Sequence, residues 1–447
     1  MPESLSALRQ RVAAQRERIP SLYGNIDFSQ TPERFADDPA DECALPSQFA
    51  RKYRPGVLAD SERIERARAY TMLGDNVADA YAALSPSLGF RNLVTMLTEA
   101  CDKGVEQVEN APQELIDFIR SMERVPDWVD MALVEEGARV SRNAMANLTP
   151  FAIRGAFIAT FMNKYSGLPM ALTGALSDQS SVQRVKETAS FFTTATLPGA
   201  LRRSGTGFKA AAMVRLMHSM VRFHILKHSK VWDVSVYGIP IPQVDQMPAG
   251  TMPAFLTAFK VIQQGRKDFN ADERAIVELC RYQSYLLGLP EELLPATAHE
   301  IFDAMMVYGA TLRDGYDDET CGALVRSTMN AYLPTNRSWR NRLFNDVERR
   351  FSRVFFTRVF LVGDEQGRAR RMGMEPKPLD YLMFAAGNLV IVPQMTAFSL
   401  AKRLPGIGWL SDRVLIHRLN QLLVGYGHAE YTTDPNRYRS NTSSGKA

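Results

Sequence analysis

Lys209-Ala-Ala-Ala-Met-Val-Arg-Leu-Met-His-Ser-Met-Val-Arg222 has the composition of a buried helix with three chemically distinctive side chains set into it. A helix turns about 100° per residue, so steps of three and seven bring Arg215, His218 and Arg222 onto one stripe. Met213, Val214, Leu216, Met217, Met220, Val221, Ile225 and Leu226 make the segment apolar almost all round, the pattern of a helix enclosed by others. Two arginines in such surroundings require buried anions.

An imidazole between two guanidinium groups suits a haem: iron takes a His nitrogen, and the propionates are carboxylates that Arg grips bidentately. The same three residues also suit a hydrogen-bonded core histidine with arginines paired to Asp or Glu elsewhere in the bundle. Neither role is decided by the stripe itself. No Cys-x-x-Cys-His occurs, which argues against covalent c-type attachment, so any haem is held by fit and ligation.

Two further blocks follow in order, Trp232-Asp-Val-Ser-Val-Tyr-Gly-Ile-Pro-Ile-Pro-Gln243 and Arg281-Tyr-Gln-Ser-Tyr-Leu-Leu-Gly-Leu-Pro-Glu-Glu-Leu-Leu-Pro295. With Arg215, His218 and Arg222 they resemble the oxygenase family of latex clearing protein and MpaB, over roughly Phe151 to Met306. The resemblance implies an all-α chain, a single large helical domain with a globin-like haem-binding core and extra helices. It also implies haem b as cofactor, dioxygen as co-substrate, and an apolar, isoprenoid or other alkene-containing substrate. His218 aligns with the proximal iron ligand, Arg215 and Arg222 with the arginines around it. Arg184-Val-Lys-Glu-Thr188 resembles the distal segment, in which Arg184 and Thr188 face the haem pocket. Rubber-cleaving members carry Lys where this chain has Glu187. They also have an upstream glutamate, and Ser166-Gly-Leu-Pro-Met-Ala-Leu172 contains no carboxylate. These departures speak against rubber as the substrate. If the reaction needs proton transfer, Glu187 is the nearest carboxylate; it reads equally as an ordinary exposed helix glutamate.

The remaining composition narrows the alternatives. Of 447 residues 45% are hydrophobic and 23% charged, as in a globular chain able to bury a large core. A net charge of +4 with no basic run interleaved with aromatics gives no basis for nucleic-acid binding. Cys43, Cys101, Cys280 and Cys321 are widely spaced, which suits a reducing compartment. The amino terminus has no apolar signal core, and the expectation is a cytoplasmic protein. His224 and His228, two ligands without a third, read as surface histidines. Asp314-Gly-Tyr-Asp-Asp-Glu319 lacks the ligand spacing of a calcium loop. Gly205-Thr-Gly-Phe-Lys-Ala210 imitates a dinucleotide fingerprint but follows no strand, so it reads as a loop leading into a helix.

Along the chain, residues 1–53 read as an irregular arm with one short helix, 54–433 as the helical domain, and 434–447 as a disordered tail. Periodicity predicts helices over Ala67–Ala83, Phe90–Lys103, Ala111–Met122, Met131–Met145 and Ala152–Tyr165, with another capped by Asn270 or Asp272. A turn is expected at Gly363–Gly367. Tyr381–Leu400 is as long and apolar as a membrane span, yet Asn388, Pro393 and Gln394 favour a buried core helix. Ile407-Gly-Trp-Leu410 suits a peripheral membrane contact. Two further readings stay open on sequence: a haem-free helical lipid- or protein-binding protein, and a haem protein with a sensing or peroxidase-like role. Oligomeric state is not legible.

Overall fold

Helix ends follow local chemistry. The helix Phe90–Lys103 is bracketed by Gly89 and Gly104, both at positive φ, where the chain turns sharply out of its axis. Ala271–Leu286 starts with a reciprocal cap in which the Asn270 side chain accepts from the Glu273 amide and Glu273 accepts from the Asn270 amide. The computed structural model describes residues 3–173, 178–362 and 365–427. The predicted tail, 434–447, and part of the predicted turn at 363–367 lie outside them. Among the described residues the chain is helical, with extended pairing confined to the isolated bridges Phe35–Leu312 and Cys43–Arg313.

Twelve helices are needed to place the site: α1 (Leu5–Arg18), α2 (Asn76–Ala82), α3 (Met131–Asn147), α4 (Thr149–Ile158), α5 (Asp178–Ala195), α6 (Thr206–His228), α7 (Gln243–Gln263), α8 (Ala271–Leu286), α9 (Ala298–Thr311), α10 (Trp339–Phe360), α11 (Pro378–Ala401) and α12 (Ile407–Tyr426). Helix α6 runs through the largest core cluster, with Phe208, Ala211, Leu216 and Ile225 at most 2% exposed. It packs on α2 and α5, while α7 packs between α8 and α9. Close crossings rest on small residues. A Cβ on Gly137 of α3 would meet the Ala275 carbonyl oxygen of α8 at 2.0 Å.

The amino-terminal residues lie in this core as well. Leu8, Val12, Ile19, Leu22 and Tyr23 all join the largest cluster. Three expectations change. The helix expected over Ala152–Tyr165 ends at Ile158, passes into a 3-10 turn over Ala159–Phe161, and a separate helix starts at Lys164, capped by Asn163. Periodicity over Ala67–Ala83 gives two helices instead of one, broken at Gly74, where a Cβ would meet the Tyr23 hydroxyl at 2.2 Å, and at Asp75, which caps α2 by accepting from the Ala78 amide at 3.1 Å. The segment Tyr381–Leu400, read as a buried core helix, lies in α11 on the outside: the helix buries only Asp380, Gly387 and Ile391. Length and apolarity identify a helix that avoids water, but they do not supply the elements that would cover it.

Candidate active site around His218

Helix α6 begins at the loop that imitates a dinucleotide fingerprint. Gly205 is its N-cap, and a Cβ there would meet the Ala200 carbonyl oxygen at 2.2 Å. The glycine thus serves a close backbone crossing. From Ala211 to Phe223 every side chain is buried except Val214 and His218, one turn apart on the same face. In that stretch these two side chains alone are partly exposed.

His218 is held from behind. Its Nδ1–H donates to Gln246 Oε1 at 2.9 Å, and Gln246 Nε2 donates in turn to Gln243 Oε1 at 3.0 Å. The second bond orients the amide, and the oriented amide selects the histidine tautomer. Burial foremost, aided by the Arg222 and Arg184 charges, pulls the His218 pKa down to about 4. The ring is neutral near pH 7, and Nε2 carries a free lone pair with no hydrogen-bond partner among the described residues. An imidazole with Nδ1–H engaged and Nε2 open is the arrangement by which proteins present histidine to a metal. This is the observation in the structure against which a haem can be tested, and the residues fit.

Both arginines have their partners within the protein. Arg215 pairs bidentately with Asp75, Nε to Oδ2 at 2.5 Å and Nη2 to Oδ1 at 2.9 Å, and donates to Ser121 Oγ at 3.0 Å. Arg222 donates to Asp79 Oδ1, to the Pro240 carbonyl at 2.9 Å and to the Ile241 carbonyl at 2.5 Å. Asp79 also accepts from the Tyr23 hydroxyl at 2.6 Å. Of the two roles open on sequence, the geometry supports the internal ion pairs. Burial works to raise the Asp75 carboxyl, but the Arg215 charge and hydrogen bonds prevail and hold it below the ordinary range. For Asp79 burial prevails and pushes the carboxyl up against the attraction of Arg222.

The two downstream blocks converge on these pairs. Trp232 Nε1 donates to the Gly238 carbonyl at 2.9 Å, closing the loop whose Pro240 and Ile241 carbonyls bind Arg222. Ile241 stands at φ 48°, a strained position for a β-branched residue, and the Arg222 hydrogen bond grips its carbonyl. Gly288, at φ 90°, sits so close to the first pair that a Cβ would meet Asp75 Oδ2 at 2.4 Å and Arg215 Nε at 2.6 Å.

Helix α5 packs on α6. Along one stripe it buries Ala195 and Phe191 in the core shared with α6, and the stripe continues to the half-buried Thr188 and Arg184. The Arg184 charge helps to lower the His218 pKa, so the two lie near each other. Glu187 accepts from Gln183 Nε2 at 2.7 Å and lies 3.9 Å from Arg184 Nη1. Arg184, Glu187 and Thr188 thus share one face of α5. His224 and His228 stack edge to face at 4.7 Å, His228 at the exposed helix end.

Asp75, Asp79, Gln243, Gln246 and Gly288 were not singled out on sequence. The two aspartates had a local signal, acids four apart in an otherwise apolar stretch after Gly74; the glutamines had only their spacing of three.

The family described as ER-bound oxygenase mpaB/B'/rubber oxygenase, catalytic domain, matches residues 145–390, more than half of the chain. The chain belongs to this family. The match includes the whole of α5, α6, α7 and α8, so the His218 site stands inside an oxygenase catalytic domain. The rubber oxygenase of Streptomyces sp. (strain K30) is 26% identical over 199 residues, covering 42% of this chain and 46% of that protein. The alignment thus spans about half of the length of that relative. The structure of latex clearing protein in the closed state matches with a TM-score of 0.54 at 19% identity, covering 79% of this chain and 91% of that one. The expected all-α architecture and the family resemblance are both borne out.

Proposed function

We propose that this chain is a b-type haem-dependent oxygenase acting on an apolar substrate, an isoprenoid or other alkene-containing chain, with His218 Nε2 as the proximal iron ligand. The observation that carries the reading is the neutral His218, fixed through Gln246 and open at Nε2 within the catalytic domain of an oxygenase family. When bound, haem supplies the iron at which dioxygen is activated.

The protein's own groups have separable tasks. Gln243 and Gln246 orient the ligand and keep its lone pair forward. Arg215 and Arg222, locked to Asp75 and Asp79, brace α6 against α2 so that the ligand does not move with side-chain fluctuations. Arg184 and Thr188 face the site from α5. Glu187, positioned by Gln183, holds or delivers a proton there. The four cysteines are buried free thiols, in keeping with a cytoplasmic location.

The test is an absorption spectrum of protein produced with haem supply, beside His218→Ala, with a pyridine assay for non-covalent haem b. A Soret band in wild type that is lost in the folded variant supports the reading. A folded wild type with no Soret band after added haemin overturns it and leaves a helical lipid- or protein-binding chain.

A further inference from the structure

Residues 381–401 contain no charged side chain, and the 24-residue helix α11 that carries them rises about 36 Å, enough to match a bilayer's hydrocarbon thickness. Only 11% of its apolar window is buried. One stripe of α11 is tied to the protein. Asp380 accepts from Arg350 at 3.0 Å and Arg353 at 2.9 Å, and Gly387 lies under the Phe351 ring. Asn143 Nδ2 donates to the Met395 carbonyl at 2.8 Å. Helix α12 likewise buries Leu415, Leu419 and Leu423 and turns the rest outward. Thirteen of the twenty large apolar side chains that stand exposed among the described residues fall between Leu379 and Val424. Leu389 is 78% exposed and Trp409 62%. A soluble surface does not concentrate apolar area in this way without a partner.

The charges around the patch identify that partner. Arg358 stands over the Tyr381 ring at 5.7 Å, Arg413 over the Trp409 ring at 3.9 Å, and Arg403 is exposed at the end of α11. Between residues 381 and 427 the one acid is Asp412, which faces inward and binds Arg142 at 2.6 Å. An apolar field with a rim of cations and a tryptophan at its edge complements hydrocarbon beneath anionic headgroups. A twofold contact with a second copy would set that cationic rim against itself. The stripe attached to α3 and α10 prevents α11 from crossing the bilayer alone.

We propose that α11 and the first half of α12 form a membrane-docking surface, with α11 lying in the plane of an anionic bilayer. Most of this surface lies beyond residue 390, where the family match ends. Placed there, the enzyme meets apolar substrate in the phase where it dissolves, an extension that rests on the substrate reading above.

The full chain is floated with vesicles of phosphatidylcholine, alone or mixed with phosphatidylglycerol, beside Leu389→Glu/Val392→Glu and Arg403→Glu/Arg413→Glu. Wild type should float, more strongly on the mixed vesicles. The apolar variant should lose at least tenfold in partitioning, and the charge variant should lose the anionic preference. Because every substituted side chain is exposed, circular dichroism should be unchanged. Quenching by brominated lipid, diminished in Trp409→Phe, reads the same contact without disturbing the patch. A wild type that does not float overturns the proposal, as does an apolar variant that floats equally well. A dimer in light scattering that Leu389→Glu/Val392→Glu dissociates, without vesicle binding, assigns the face to a second copy instead. None of these readouts needs haem, so failure here is distinct from failure of the oxygenase reading.

Discussion

Replacing Asp79 by Ala should cost about 4 kcal/mol of folding stability, and the number follows from what the carboxylate holds. Asp79 and Arg222 are both fully buried. Breaking a buried pair from one side costs about 3–5 kcal/mol because the other charge stays behind. The Tyr23 hydroxyl also loses its acceptor, worth about 1–3 kcal/mol when nothing replaces it. The contributions do not sum in full, since Arg222 keeps the Pro240 and Ile241 carbonyls. At about 1.4 kcal/mol per factor of ten, the folding constant falls by about three orders of magnitude. Arg222→Met should be comparably damaging, because it strands Asp79 and both carbonyls. In Asp79→Ala/Arg222→Met the stranded charges are gone, and the double variant should cost at least about 2 kcal/mol less than the sum of the single substitutions. Urea unfolding of haem-free protein followed by circular dichroism measures all three. A loss below about 1 kcal/mol for Asp79→Ala, or simple additivity, would refute the ion pair as the brace of α6 and return Arg222 to the role of gripping an external anion.

The other expectations are independent of that cycle. Gln246→Leu leaves the His218 Nδ1–H without an acceptor, and haem affinity should fall about ten- to a hundredfold in a haemin titration; unchanged affinity would show that the amide does not orient the ligand. Gly288→Ala combines a left-handed backbone with a Cβ driven into the Asp75–Arg215 pair, so thermal melts should show a loss of at least about 3 kcal/mol. Asp380 carries a pH signature. Burial works to raise its carboxyl, yet the Lys377 amide with Arg353 and Arg350 holds it below the ordinary value. A depressed folded-state value means the stabilisation is present above the unfolded pKa, about 3.8–3.9, and disappears as pH falls through the lower folded value. The stability gap between wild type and Asp380→Asn should therefore be open at pH 7 and narrow below about pH 4; a gap constant with pH would sink the assignment.

Much of the architecture was legible because it is local. The span Phe90–Lys103 is marked at both ends by glycine, the Asn270 cap by the acid three residues on, and α6 by the run of apolar residues around its Arg–His–Arg stripe. His218 stood out for the same reason, as an imidazole at a helical step from arginines. What the periodicity could not contain was the identity of the partner. Arg215 binds an acid 140 residues away, Arg222 one 143 residues away, and the amide that orients His218 lies 28 residues downstream on another helix. One helical pattern is compatible with a guanidinium bound to a haem propionate or to a buried aspartate, since both satisfy the same charge.

The carboxy-terminal helices draw the line most clearly. The chain by itself determined that residues 381–401 form an apolar helix, because uncharged side chains over that length stabilise no other regular structure as well. Whether that helix would be a core element or an outer face depended on what remained to pack over it. Only the tertiary structure, with α10 and α3 packed on one side and most of the other left uncovered among the described residues, decided that this apolar surface faces outward. Burial is a property of two surfaces brought together, and a sequence read one segment at a time describes only the first.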